Sequence, residues 1–208
     1  MLTRSASQPR DETDDRRAES YDALALLLAA SPPADVLRAL SDLSPDEGSA
    51  LGAAWADLAK AAASTTPEAV EREFFDLFIG VGRGELLPYA SFYLTGFLNE
   101  RPLAVLRGDL AALGIARRAG DHDPEDRIAL LCAVMAAFAG GSLTAGEAGP
   151  GEALFFNRHL APWAGMFFDD LEKAPAAKFY AAVGRVGRLF MEIEAQGFAL
   201  AAEAPEAA

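Results

Sequence analysis

The side chains best suited to chemistry fall together between Glu71 and Leu98. Tyr89, Ser91, Tyr93 and Thr95 place hydroxyls on or beside apolar bodies, after Gly80, Gly82, Gly84 and the turn-setting Pro88. Just before the glycines, Val70, Phe74, Phe75, Leu77 and Phe78 are dense enough to make a helix apolar over more than one narrow stripe. Leu77 and Phe78 beside a flexible loop, with hydroxyls returning over them, are the ingredients of a groove for a peptide. The competing reading makes the same aromatics plain helical core.

Catalysis finds no constellation to use. Glu85 is the only carboxylate in the glycine loop, and one carboxylate does not make an acid/base pair. Gly80-Val81-Gly82-Arg83-Gly84 lacks the Lys-Ser/Thr of a phosphate loop and follows a helix, where a dinucleotide fold needs a strand. His122 and His159 lie far apart with no second ligand at metal-site spacing. His122 reads as a loop residue and His159 as a packing or capping residue between helices. Cys132 stands alone, one turn from Ile128, Leu131 and Met135, where a thiol behaves as a small inert hydrophobe. These patterns predict a binding protein with no enzymatic activity, no metal and no cofactor.

The elements that must position these residues are helices. Alanine and leucine dominate, β-branched residues are scarce and no strand-like alternation occurs, so the 208-residue chain is predicted to be all-α with about ten helices. The formal net charge of −13 disfavours nucleic acid and anionic membrane surfaces as partners and favours a basic one. Arg16-Arg17 followed by the apolar run 23–30 superficially suggests an export peptide. Asp11, Glu12, Asp14, Asp15, Glu19 and Asp22 surround the arginines, however, and the run is too short to span a membrane. The protein is therefore expected in the cytoplasm, without stable membrane insertion.

In order, residues 1–13 read as a tail and 14–30 as the first helix, followed by a helix over 34–43. Ser44-Pro45-Asp46-Glu47 and Thr66-Pro67-Glu68 carry helix-start signals, and Arg101-Pro102 opens a helix stopped by Gly114. Residues 116–123 read as a linker between an N-terminal lobe, 14–115, and a C-terminal lobe, 124–197. Asp123 and Pro124 read as cap and first residue of the next helix. The last helix is predicted from Pro175 to about Gly197, with 198–208 a loose tail.

The stretch Leu77-Phe78-x-Gly80-x-Gly82-x-Gly84-Glu85-Leu86-x-Pro88-Tyr89-x-Ser91-x-Tyr93-Leu94-Thr95-Gly96-Phe97-Leu98 resembles the TorD/DmsD family of chaperones for molybdenum-dependent redox enzymes. The likeness continues into Arg101-Pro102-Leu103-Ala104 and Leu106-Arg107-x-Asp109-Leu110. Weaker similarity around Phe155-Phe156 and Phe179-Tyr180 extends it over roughly 68–195. The resemblance implies a TorD-like helical fold. It also implies a chaperone that holds the apo catalytic subunit of a molybdenum oxidoreductase, of formate dehydrogenase or N-/S-oxide reductase type, with its twin-arginine signal peptide. Gly84, Glu85, Pro88, Tyr89, Ser91 and Tyr93 would then join Leu77 and Phe78 in the peptide site.

The family segment Glu-Pro-x-Asp-His, associated with peptide binding and with the hinge between lobes, stands here as Asp123-Pro124-Glu125-Asp126-Arg127. By resemblance Asp126 and Arg127 belong to the peptide site, and Asp123 and Pro124 to the hinge. Arginine in place of histidine removes any pH switch, and its charge opposes an incoming arginine unless Arg127 pairs with a carboxylate such as Asp123. A non-catalytic assembly subunit of an oxidoreductase is the alternative reading, and a helical enzyme acting on a small cationic substrate a more distant one.

Overall fold

Local start and stop signals set most of the architecture of the computed structural model, which describes residues 12–117, 120, 123–146 and 149–203. His122, part of the 116–123 linker and most of the expected N-terminal tail lie outside the described residues. The α-helices are α1 (Glu12–Ala29), α2 (Ala34–Ser41), α3 (Ala50–Ala63), α4 (Pro67–Phe74) and α5 (Ala90–Thr95). They continue as α6 (Arg101–Ala112), α7 (Ile128–Ala139), α8 (Glu152–His159), α9 (Ala164–Lys173) and α10 (Phe179–Glu203). A π-helical turn, Phe75–Ile79, extends α4. The described residues contain no strand, only a single antiparallel bridge between Tyr89 and Arg127, so the all-α expectation holds.

Four helix boundaries differ from the sequence expectation by four residues or more. Ser49, not Ser44, caps α3, its Oγ accepting from Gly52 N at 3.0 Å. The Asp46 carbonyl folds so close over this turn that a Cβ on Gly52 would lie 1.7 Å from it. Helix α7 begins at Ile128, and Asp123 and Pro124 precede it in a non-helical segment held by the bridge to Tyr89. Helix α10 starts at Phe179 rather than Pro175 because the Glu73 carboxylate supplies its cap. Glu73 accepts from Lys178 N at 2.7 Å, Phe179 N at 3.2 Å and Tyr180 N at 2.7 Å. The same helix runs past Gly197 to Glu203, so 198–203 are helical and not a loose tail; Phe198 packs on Phe156 at 4.9 Å and under the Arg17 guanidinium at 5.3 Å.

The apolar core draws on both sides of the 116–123 segment. Helix α1 buries Tyr21, Leu24, Leu27 and Leu28 and packs along α7, and α10 packs along α9 and α3. Close approach of α9 and α10 requires glycine: a Cβ on Gly187 would lie 2.1 Å from the Phe168 ring, and one on Gly184 2.4 Å from Glu172 N. Polar staples fix α1 at both ends. Arg17 donates to both Glu194 oxygens at 2.7 Å and to Glu152 at 2.5 Å, and Tyr21 donates to Glu194 at 2.9 Å. At the other end Tyr180 Oη and Arg127 Nη2 donate to the carbonyls of Leu27 and Leu28, at 3.0 and 2.9 Å. Thus one arginine of the Arg16-Arg17 pair is an internal clamp. No helix among the described residues is long and apolar enough to cross a membrane.

Candidate peptide-binding surface

The π-turn decides which apolar residues of the 71–98 stretch reach solvent. Gly80 N bonds to Phe75 O at 2.7 Å, five residues back, and the extra residue in the turn rotates the side chains that follow α4. Leu77 enters the core. Phe78 is half-buried, edge-on to Phe74 and Tyr180 at 5.0 and 5.5 Å. Phe75 and Ile79 face outward instead.

The glycine loop folds back onto this turn through Glu85 N to Asp76 O and Leu86 N to Leu77 O, at 3.1 and 2.8 Å. A Cβ on Gly84 would lie 2.5 Å from the Phe78 carbonyl carbon, so glycine is required there. Val81 at the loop tip is 98% exposed. Glu85 accepts from Ala176 N at 3.2 Å and so faces the connector into α10. Arg83 lies 5.3 Å over the Phe92 ring, joining the loop to α5.

Pro88, Tyr89 and Ser91 are pinned to the 126–128 segment. Ala90 N donates to Asp126 O at 3.0 Å, Ile128 N to Pro88 O at 2.9 Å, and Ser91 N to Asp126 Oδ2 at 2.7 Å. Asp126 therefore caps α5 from 35 positions away, in place of a side chain at Tyr89. It is fully buried, and neither its Oδ1 nor the buried Ser91 Oγ has a hydrogen-bond partner among the described residues. Tyr93 turns away: its hydroxyl donates to Asp170 at 2.9 Å and its ring packs on Trp163 at 5.4 Å. Burial and the Asp170 hydrogen bond push the Tyr93 phenol well above its ordinary pKa.

Asp126 and Arg127 face different spaces. Asp126 lines a cavity of about 350 Å³ whose apolar wall includes Leu94, Val105, Leu106 and Leu131. Thr95, Arg101, Arg158 and His159 are its other polar lining residues. Arg127, with Asp123 and Pro124, lines a separate groove of about 790 Å³ against α1, beside exposed Leu26. Its Nη1 pairs with Asp123 at 3.0 Å, the partner anticipated from sequence. At the first cavity His159 Nε2 lies 2.7 Å from Asp109, which Arg158 also contacts at 2.7 Å. Burial lowers the His159 pKa more than its Asp109 contact raises it. Burial raises Asp109, but the His159 and Arg158 hydrogen bonds outweigh it and hold the carboxyl below its usual range. The arrangement is a neutral imidazole donating to an ionised carboxylate whose counter-charge Arg158 supplies.

The side chains that sequence reasoning missed are the exposed apolar ones. Seven of the thirteen large apolar side chains exposed among the described residues lie between Phe75 and Val105. Besides Phe75, Ile79 and Val81 they are Leu94, Phe97, Leu98 and Val105. Val81 had a readable signal, since a valine flanked by two loop glycines has no helix face to bury it. Phe97 had none, because its exposure follows from the left-handed Gly96 that ends α5.

Residues 44–169 match the family model described as nitrate reductase delta subunit. The chain belongs to this TorD-like family. The chaperone protein TorD of Vibrio cholerae is 29% identical over 127 residues, a match covering 58% of this chain and 58% of the relative. The TorD of Aliivibrio fischeri is 40% identical over 60 residues, 28% of each chain. The matched stretch thus spans little more than half the length of the first and less of the second. In fold, the chain is similar to a crystal structure described as a candidate redox enzyme maturation protein from Archaeoglobus fulgidus, with a TM-score of 0.59 at 17% identity. That likeness covers 91% of this chain and 99% of the other.

Proposed function

We propose that this TorD-like protein is a non-catalytic cytoplasmic chaperone that binds the twin-arginine signal peptide and apo form of a molybdenum oxidoreductase before export or assembly. The observation that carries the reading is the crowding of exposed apolar side chains between Phe75 and Val105 on a chain of net charge −13. Such peptides have a basic front and an apolar middle. The acidic chain attracts the front at long range, and the apolar surface removes the middle from water. Two or three leucines so buried contribute roughly 1.5–3 kcal/mol each before ordering costs, consistent with micromolar binding. Calorimetric titration with a synthetic signal peptide at low and high salt tests this. Saturable binding that weakens with salt, and disappears when the apolar middle is replaced by serines, supports it; absence of binding by the intact peptide contradicts it.

A second reading follows from the family's description as a nitrate reductase subunit. As a non-catalytic assembly subunit, the protein would bind a folded oxidoreductase and ignore the isolated peptide.

A further inference from the structure

Helices α6 and α7 have equal lengths and unequal anchorage. Over its 12 residues α6 buries only Leu103, Leu106 and Leu110, whereas α7 buries nine of its 12. Open space lies on both flanks of α6. Pro102, Val105 and Leu106 border the cavity of about 350 Å³, and Arg107 and Leu110 border the groove of about 790 Å³. Few buried apolar contacts are what lets one element open while its neighbours stay folded.

Two polar latches hold α6 shut. Arg107 Nε donates to Glu125 at 2.9 Å, and the Asp109 carboxylate meets Arg158 and His159, each at 2.7 Å. Releasing them strands no buried charge. Glu125 keeps Arg117, whose Nε donates to it at 2.9 Å. The Arg158 side chain is already 41% exposed, His159 is kept neutral by its burial, and Asp109 travels with the helix into water. Both ends can turn. Gly96 and Asn99 before α6 and Gly114 after it have positive φ, at 83°, 61° and 73°, and no atom would crowd a Cβ on either glycine. Beyond Gly114 the chain is pinned again, since Arg117 also donates to the Asp123 carbonyl at 3.1 Å.

We infer that α6 is a strap that opens as a unit between 96–99 and 114 while the rest of the fold stays intact. Opening uncovers Leu103, Leu106 and Leu110, together with Leu131, which shares the smaller cavity with Leu106. It thereby enlarges the exposed apolar surface to which Leu94 and Val105 already belong. The use of this surface by a client's apolar segment rests on the function proposed above; the opening itself does not.

Native-state hydrogen exchange on the full chain at neutral pH, where rates report opening equilibria, tests the strap without any ligand. After correction for intrinsic rates, the Leu106 and Leu110 amides are expected to exchange together. They should do so at least about tenfold faster than Val134 and Met135 in α7 and Val186 in α10. Asp109→Asn keeps the shape and removes the charge facing Arg158. It is expected to speed α6 exchange about tenfold further, the worth of one hydrogen bond between charged groups, and to leave α7 and α10 within about twofold. Should that variant not fold, Arg158→Gln breaks the same latch at an exposed side chain. A partner that needs the open strap binds in proportion to the open fraction, so the variant should also bind a synthetic twin-arginine peptide about tenfold tighter. Protection of Leu106 and Leu110 equal to that in α7, or equal acceleration of all three helices in the variant, overturns the strap. Faster α6 exchange with unchanged peptide affinity overturns its part in binding. A wild type that binds no peptide contradicts the function proposed above, and the exchange rates still decide the strap.

Discussion

Phe78 lies between the rings of Phe74 and Tyr180 and is only partly exposed, so its first duty is packing. Phe78→Ala is expected to cost about 2 kcal/mol, below the range for a fully buried phenylalanine. A denaturant midpoint unchanged from wild type would contradict that placement. His159 gives a second residue-scale test, with pH. Its pKa is lowered in the fold from an ordinary 6.5, so the stabilisation from its neutral form is complete above about 6.5. It is lost as pH falls through the lowered folded value. Urea midpoints should therefore drop between pH 7 and 5, and His159→Gln, which keeps a donor to Asp109, should flatten that part of the curve. Equal slopes in both proteins would count against the burial argument. The sequence showed Asp126 and Arg127 as neighbours but not that they face different cavities. Their directions depend on Ser91 and Leu28, 35 and 99 positions away.

Among elements, the readable ends are those capped by sequence neighbours, and the unreadable ones are capped from a distance. Thr66 with Pro67 marks α4 locally, its Oγ1 accepting from Ala69 N at 3.3 Å. Glu73 caps α10 across 105 positions, Asp126 caps α5, and Arg127 and Tyr180 cap the end of α1. No local pattern announces these. Arg127 thus has a structural duty that accounts for a guanidinium where the family usually has histidine: two donors reach Asp123 and Leu28 together. Glu73→Gln keeps the shape but turns one acceptor oxygen into an NH2 donor, so at least one of the three backbone N–H groups loses its partner. It is expected to cost about 1–3 kcal/mol, seen as a lower denaturant midpoint with an unchanged slope. An unaltered midpoint would mean the connector before α10 is held by other contacts. The π-turn was equally invisible in sequence, and it exchanges Leu77 and Phe78 for Phe75 and Ile79 as the outward-facing pair.

Over the whole molecule, the all-helical class was readable from composition and periodicity. The stretch of the candidate binding surface was readable in position along the chain, whereas the side chains that stay exposed there were not. Density of aromatics located it; the π-turn and the left-handed Gly96 chose which side chains remain outside. Exposed apolar side chains crowd residues 75–105 of a chain of net charge −13, and the central claim is that a signal peptide's apolar middle docks on them. The most direct measurement is calorimetric titration of a synthetic twin-arginine peptide into wild type, into Val81→Ser/Phe97→Ser and into Met166→Ser. Val81 and Phe97 are 98% and 71% exposed, so the double variant should fold normally, and Met166 is an exposed control on α9. The account predicts micromolar binding by wild type and by the control, and at least about tenfold weaker binding by the double variant, since each lost apolar contact is worth more than about 1 kcal/mol. Equal affinity in all three folded proteins, or no binding by wild type, would contradict it.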